Sequence, residues 1–405
     1  MIFLKKIVFV LGNYKNGGMA MRATNLSNEF ANNGYEVDIL VTGELSDESF
    51  FKINKRVNVV SLMDYNNSTL ENDLVKANAK KINVKINLLK KTRYITKKIY
   101  RLDKHIEQKI RFLRRGERLR KYFLNNPDSI VIPLGISYLE PTISAVEGLN
   151  CKVYYAEKNA PELEFPEKNS EEYRYIIKLL NKIDGVIVQT KNAKDFFDGD
   201  IKNIYVINNP IKGGLPVPYT GERKKTIVNF CRMHPQKNLD LLIEAFVKLH
   251  KEHSDYKLEI YGNIVSDLEI KYRDRLISKV QDLNMENHIF ILPPAADVHK
   301  RIIDCAMFVS SSDYEGLSNS MIEAMAIGLP CICTDCLGGG TREVMLDKEN
   351  GLIVSVKDVN AMYGAMKLFV ENLELAKKCG KNASKLREKL SVENIADKWL
   401  SVIKE

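Results

Sequence analysis

No run in this 405-residue sequence reaches the roughly 18 to 20 consecutive apolar residues that a membrane-spanning helix requires, so no such helix is expected. The apolar opening Ile2–Leu11 contains Lys5 and Lys6, lacks a small-residue cleavage site and stops at Gly12-Asn13-Tyr14; it reads as a first strand, not a signal peptide. Cysteine is sparse, and its count of seven is odd. Placed mostly in apolar segments, these thiols are expected to be reduced and buried in a cytoplasmic protein. Cys331 and Cys333 alternate along a predicted strand with Cys336 beyond, and no histidine is near them in sequence, so no metal site is expected there. Histidine is scarce too: His105, His250 and His253 read as helical surface positions, and His288 and His299 show no partner in the sequence. Glycines 12, 17 and 18 lack the spacing of the dinucleotide fingerprint, which argues against a nicotinamide cofactor. Zinc-finger and aromatic sheet patterns are both missing, so nucleic acid is not an expected partner.

What is present is ordinary globular material. Hydrophobic residues make up 45% and charged residues 28%, and the length suits two domains. The formal charge of +9 is concentrated. Between Lys76 and Lys121 stand 18 Lys or Arg against 3 acids, so the remainder of the chain is net acidic. Within this region Ile99, Leu102, Ile106, Ile110 and Leu113 recur every three or four residues, predicting one apolar helical stripe among crowded cations. Such a helix suits an anionic membrane surface, or a solvated face around a core stripe.

Taken in order, the chain alternates strand and helix. Lys6–Leu11, a glycine-rich turn and a helix from about Met19 to Asn32 open a doubly wound α/β domain. Asn208-Asn209-Pro210-Ile211 begins a Gly- and Pro-rich stretch through Glu222 that reads as an interdomain linker. The expected division is 1–208, a linker at 209–224, a second domain at 225–387 and a final helix at 388–405. A cleft between the domains is the expected active site.

The segment Ser310–Pro330 carries the most chemistry. Met307-Phe308-Val309 reads as a strand, the following polar residues as a loop, and Met321–Ile327 as a helix stopped by Gly328-Leu329-Pro330. A loop feeding a helix amino terminus presents unpaired N–H groups, which favour an anion such as phosphate. Glu315 and Glu323 flank that start. Carboxylates beside a diphosphate suit hydroxyl groups attached on either side of it, as in a nucleotide diphosphate sugar. A capping box between Ser320 and Glu323 is the ligand-free alternative.

This stretch resembles the E-x7-E signature of retaining glycosyltransferases of the GT-B fold, family 4, through Glu315, Gly316, Glu323, Ala324, Ala326, Gly328 and Pro330. The resemblance implies an α/β GT-B architecture, two Rossmann-like doubly wound domains facing across a cleft. It implies that Glu315 contacts the donor sugar, that Glu323 contacts the ribose, and that loop amides from Gly316, Leu317, Ser318 and Asn319 hold the pyrophosphate. Arg232 and Lys237 match the family residues that clamp the diphosphate, with Cys231 where glycine is common. Gly17 and Gly18 resemble the glycine pair that approaches the donor; Met19-Ala20-Met21-Arg22 follow where the family often continues with Glu. Lys158 occupies the slot of a family histidine, between Glu157 and Asn159. Glu157 is then either the acceptor base or the group that orients Lys158, and a plain surface turn is the alternative.

The resulting expectation is a metal-independent retaining glycosyltransferase without a cofactor, using a nucleotide diphosphate sugar, UDP-linked, as donor. The resemblance implies transfer of a hexose or N-acetylhexosamine to a membrane-associated saccharide acceptor, lipid-linked or oligosaccharide, in surface polysaccharide, capsule or glycoconjugate assembly. The basic region 76–121 adds the expectation of a cytoplasmic protein peripheral on the inner face of the cell membrane. Glycoside hydrolysis also uses paired carboxylates but needs no cationic clamp. A catalytically silent nucleotide-sugar sensor or partner subunit is the binding-class alternative.

Overall fold

Two parallel sheets form from the apolar runs of the chain. The structure, a computed structural model, describes residues 5–14, 17–43, 52–63, 84–90, 100–157 and 159–404, with side chains of the helix Tyr100–Leu124 from residue 107 onward. The first sheet holds β1 (Ile7–Leu11), β2 (Val37–Val41), β3 (Val57–Ser61), β4 (Ile130–Pro133), β5 (Lys152–Ala156), β6 (Gly185–Val188) and β7 (Ile204–Val206). The second holds β8 (Lys224–Arg232), β9 (Lys257–Asn263), β10 (Ile289–Leu292), β11 (Cys305–Ser310), β12 (Cys331–Thr334) and β13 (Leu352–Val354).

Strands buried on both faces read as unbroken apolar runs, and β1 is the clearest case. Ile7, Phe9 and Leu11 pack to one side while Val8 and Val10 pack to the other. In the second sheet Val228 and Phe308 face one way and Ile227 and Val309 the opposite way. The cluster containing Phe9 continues into Phe230, Phe308, Met321 and Trp399, so one apolar core runs across both domains.

Strand order places the site. The first sheet runs β3-β2-β1-β4-β5-β6-β7 and the second β10-β9-β8-β11-β12-β13. Order reverses between β1 and β4 in one and between β8 and β11 in the other, and ligands bind in the crevice at the carboxyl ends of strands at such reversals. Those ends carry Gly12–Tyr14, Gly17-Gly18, Leu134, the Met233–Lys237 turn and the Ser311–Ser318 loop.

The chain between β7 and β8 is pinned by the carboxy-terminal segment. Ile211 N–H donates to the Leu390 carbonyl at 2.8 Å, and the Arg387 guanidinium donates to the carbonyls of Pro216 and Leu215 at 2.5 and 2.7 Å. The final helix Val392–Ile403 buries Ile395, Ala396 and Trp399 and packs against the helix Gly18–Asn32 of the first domain. The Arg22 guanidinium lies 5.6 Å above the Trp399 ring.

The basic region falls partly outside the described residues; 84–90 and Tyr100–Leu124 are helical. Ile110 is buried against Ile86, as the stripe predicts. Three of the described cations are ties to the domain: Arg120 donates to the carbonyls of Ala145 and Glu147, Arg115 donates to the Ser137 carbonyl and lies over the Tyr138 ring, and Arg118 donates to Met63 Sδ. Lys85, Lys90, Lys109, Arg111 and Arg114 are exposed, as are Val84 and Leu88.

Candidate functional site

The two switch points face each other across a cleft of about 810 Å³. Its second-domain wall comes from two adjacent loops. Arg232 ends β8; Pro235–Lys237 then makes one tight turn, and Asn238 takes the left-handed conformation (φ 44°) that asparagine tolerates, its side chain accepting the Leu241 N–H. That turn is laced to the loop after β11. Asn238 Nδ2 donates to Asp313, Gln236 Nε2 to the Tyr314 carbonyl, Ser311 Oγ to the Lys237 carbonyl, and Asp313 N–H to the Gln236 carbonyl, all at 2.7 to 2.9 Å. Lys237 and Glu315 are thereby brought together although 78 residues separate them.

Lys237 Nζ donates to Glu315 Oε1, which also accepts from Ser312 Oγ at 3.0 Å. Burial works against the Lys237 charge, but the Glu315 carboxylate outweighs it and holds the ammonium above its ordinary value. Lys237 therefore stays charged near neutrality. Arg232 is half exposed in the cleft, with Nε 3.3 Å from the buried Glu269 carboxylate. Burial, then Arg232, pulls His234 below its usual value, so its imidazole is neutral near pH 7 and accepts the Gln236 N–H. Burial pushes the Cys231 thiol up to about 12, leaving it protonated beside these charges.

The helix Asn319–Ala326 starts at Ser318 with no side-chain cap. The capping box between Ser320 and Glu323 is not formed: Glu323 Oε2 is instead 2.8 Å from His299 Nε2. His299, which showed no partner in the sequence, is paired, and His288 lies against His250 with ring centroids 4.0 Å apart and the rings tilted by 46°. The loop amides divide. Leu317 N–H donates to Gln189 Oε1 of the first domain at 3.0 Å, so this amide is engaged within the protein. Glycines fit where backbones touch: a Cβ on Gly340 would lie 1.8 Å from the Gly316 carbonyl, and one on Gly338 1.9 Å from that of Glu315. Gly338 to Gly340 thus form the bed on which the loop rests.

On the opposite wall a Cβ on Gly18 would lie 3.1 Å from Asn319 Nδ2, so the Gly17-Gly18 turn sits against the start of the second-domain helix. The cleft is lined by Gly17, Gly18, Arg232, Lys237, Glu315, Leu317, Ser318, Asn319 and Glu323 together, with Lys212 entering from the linker. Gly316 lies just behind, against Gln189 and Asn159.

Glu157 is the exception. It is 0% exposed, takes a 2.5 Å hydrogen bond from Tyr155 O–H, and is not part of the cleft wall, so the residue read as acceptor base, as orienter of Lys158 or as part of a surface turn is turned into the protein. Strand alternation explains this. Val153 and Tyr155 point to the face buried away from the cleft, and Glu157 shares their parity. Lys158 lies outside the described residues.

Two residues not singled out in the sequence organise this wall. Arg22 donates to the Glu157 carbonyl at 2.8 Å, and burial draws its guanidinium down to about 10. Its signal was a cation among the buried positions Ala23, Leu26 and Phe30 of an amphipathic helix. Gln189 joins the Glu157 carbonyl, Asn209 Nδ2 and the Leu317 amide, and so links both domains at the cleft.

Two Rossmann-like domains with facing switch points define the GT-B class of glycosyltransferase folds. Residues 218–386 match the family model "Glycosyl transferases group 1". The chain is 33% identical over 238 residues to the poly(ribitol-phosphate) alpha-N-acetylglucosaminyltransferase of Staphylococcus aureus (strain COL), covering 58% of this chain and 46% of that protein. It therefore spans less than half the length of that relative. It is 29% identical over 276 residues, 66% of the chain and 70% of the relative, to the N-acetylgalactosamine-N,N'-diacetylbacillosaminyl-diphospho-undecaprenol 4-alpha-N-acetylgalactosaminyltransferase of Campylobacter jejuni subsp. jejuni serotype O:2. Among solved structures TarM superposes with a TM-score of 0.77 at 20% identity over 100% of this chain and 99% of its own. An S. aureus TarM mutant, solved with fondaparinux, alpha-GlcNAc-glycerol and UDP, gives 0.74 at 20% identity over 99% and 100%. These structural likenesses carry the fold.

Proposed function

We propose that the chain is a retaining glycosyltransferase that moves a hexose or N-acetylhexosamine from a UDP-sugar to a lipid-linked or oligosaccharide acceptor in surface polysaccharide or glycoconjugate assembly. The observation that carries this reading is the convergence of Arg232 and Lys237 with Glu315 and Glu323 in one interdomain cleft. A departing nucleoside diphosphate gains negative charge, and cations already fixed in place favour that state over the intact donor. Lys237 is held charged by Glu315, and a donor diphosphate would share the ammonium while Glu315 turns to the sugar hydroxyls. Glu323 takes the ribose hydroxyls, and the uncapped start of Asn319–Ala326 takes a phosphate oxygen.

With positive charge supplied by side chains, the leaving group needs no divalent metal, and no covalent enzyme nucleophile is required. The diphosphate oxygen itself receives the acceptor hydroxyl's proton on the face from which it departs, which retains the anomeric configuration. That route suits a first-domain wall in which Glu157 is buried. The names of the relatives support the acceptor class, since both denote transferases that act on phosphate-containing polymer or lipid-linked acceptors.

The exposed cations Lys85, Lys90, Lys109, Arg111 and Arg114, with Val84 and Leu88 beside them, support peripheral attachment to an anionic bilayer at the cytoplasmic face. Each such cation contributes on the order of 1 kcal/mol near a charged surface. Flotation with anionic liposomes tests this, and equal absence from anionic and neutral vesicles would count against it. For the reaction, labelled UDP-sugars are offered with acceptor in excess EDTA and the product anomer is read by NMR. Transfer with retention is expected. An inverted product, or full dependence on added metal, would contradict the proposal.

A further inference from the structure

Between the short helix Val298–Ile302 and the helix Asn319–Ala326, the His299–Glu323 contact is buried, with side chains 9% and 8% exposed. The imidazole has little room to turn. Phe230 from β8 meets it nearly edge-on with centroids 5.3 Å apart, and Phe308 from β11 backs Phe230 at the same separation. His299 thus stands in an aromatic socket belonging to the two strands that flank the switch point, and it presents Nε2 to one oxygen of Glu323.

A carboxylate offers about four acceptor sites on two oxygens. Oε2 of Glu323 is engaged by His299, whereas Oε1 has no protein hydrogen-bond partner among the described residues, and Glu323 lines the cleft. A lone glutamate on a helix would sample several rotamers, and hydrogen bonds to a ligand hydroxyl would then bear the cost of ordering it. Anchoring one oxygen removes that cost and aims the other. Glu323 is also nearly buried, and leaving its charge without a donor would be strongly unfavourable.

We propose that His299 is a positioning residue: it fixes Glu323 so that the free oxygen reads the vicinal 2′- and 3′-hydroxyls of the donor ribose, making the site selective for ribonucleotides. This rests on the assignment of Glu323 to the ribose. With Glu323 assigned to the ribose, and Lys237 and Glu315 to the diphosphate and the transferred sugar, His299 acts on nucleotide recognition more than on bond breaking.

The test compares UDP with 2′,3′-dideoxy-UDP, and GDP with its dideoxy form, by calorimetry on the full chain. Wild type is expected to favour the ribo form by about tenfold or more, roughly what one hydrogen bond to a charged group supplies. H299A should bring that ratio close to one and raise the donor KM, with kcat changed less than about threefold, as expected for lost uniform binding. H299Q, whose side-chain amide can still donate, should recover most of the ratio even if H299A melts at lower temperature. A wild-type ratio in H299A, or a ratio lost equally in H299Q and H299A, overturns the positioning role. If E323Q also keeps the wild-type ratio, or if wild type shows no preference at all, the ribose assignment of Glu323 falls and the proposal falls with it.

Discussion

The two walls of the cleft are built by different means. The second-domain wall is a pair of neighbouring loops, after β8 and β11, tied by hydrogen bonds among short polar side chains and carrying its charges at the surface of the cavity. The first-domain wall is a glycine turn with the nearly buried Arg22 beside it, backed by Glu157, Tyr155 and Trp399, which are not part of the cleft lining. On the proposed reading the second-domain wall carries most of the charge offered to a ligand. The first-domain side still displays polar groups, Asn13, Arg22, Asn159 and Gln189, while Glu157 is turned inward.

Variants that strike one wall should reveal the difference. Trp399→Ala removes a fully buried indole that joins the final helix to the first domain, and is expected to lower stability by about 3–5 kcal/mol in urea unfolding. Donor KM should move little, and a change beyond tenfold would merge the two walls functionally. Lys237→Ala should lower kcat by about 10²–10³-fold, the scale of one preorganised charge-stabilising donor, with a smaller effect on unfolding. A loss confined to stability would contradict the division. Glu157→Gln is expected to change kcat less than about threefold, because the residue is buried away from the cleft. A fall of about 10²-fold or more, as for a general base, would restore it to the chemistry.

Most of the second-domain wall was legible in the sequence. Its residues lie in two short stretches, Arg232–Asn238 and Asp313–Glu323, whose spacing and strand–loop–helix context carry the resemblance to the GT-B family. The strands were legible for a similar local reason, as doubly buried strands are unbroken apolar runs. What the sequence did not disclose is which distant side chains meet. Glu323 with His299, Lys237 with Glu315, and Arg22 with the Glu157 carbonyl are separated by 24, 78 and 135 positions. Periodicity assigns a residue to an element and a face but does not name its partner across the sheet. Glu157 was nonetheless within reach: alternation from Val153 and Tyr155 already places it on the face away from the cleft.

The central claim is that Arg232 and Lys237 hold the diphosphate of the nucleotide. It is tested most directly by calorimetric binding of UDP and of uridine to wild type and to the Arg232→Ala, Lys237→Ala double variant. The account predicts that wild type prefers UDP over uridine by about 10³-fold or more and that the double variant loses most of this preference while uridine binding is unchanged, since each charge-assisted contact is worth about tenfold or more. A double variant that keeps the wild-type preference for UDP would contradict it.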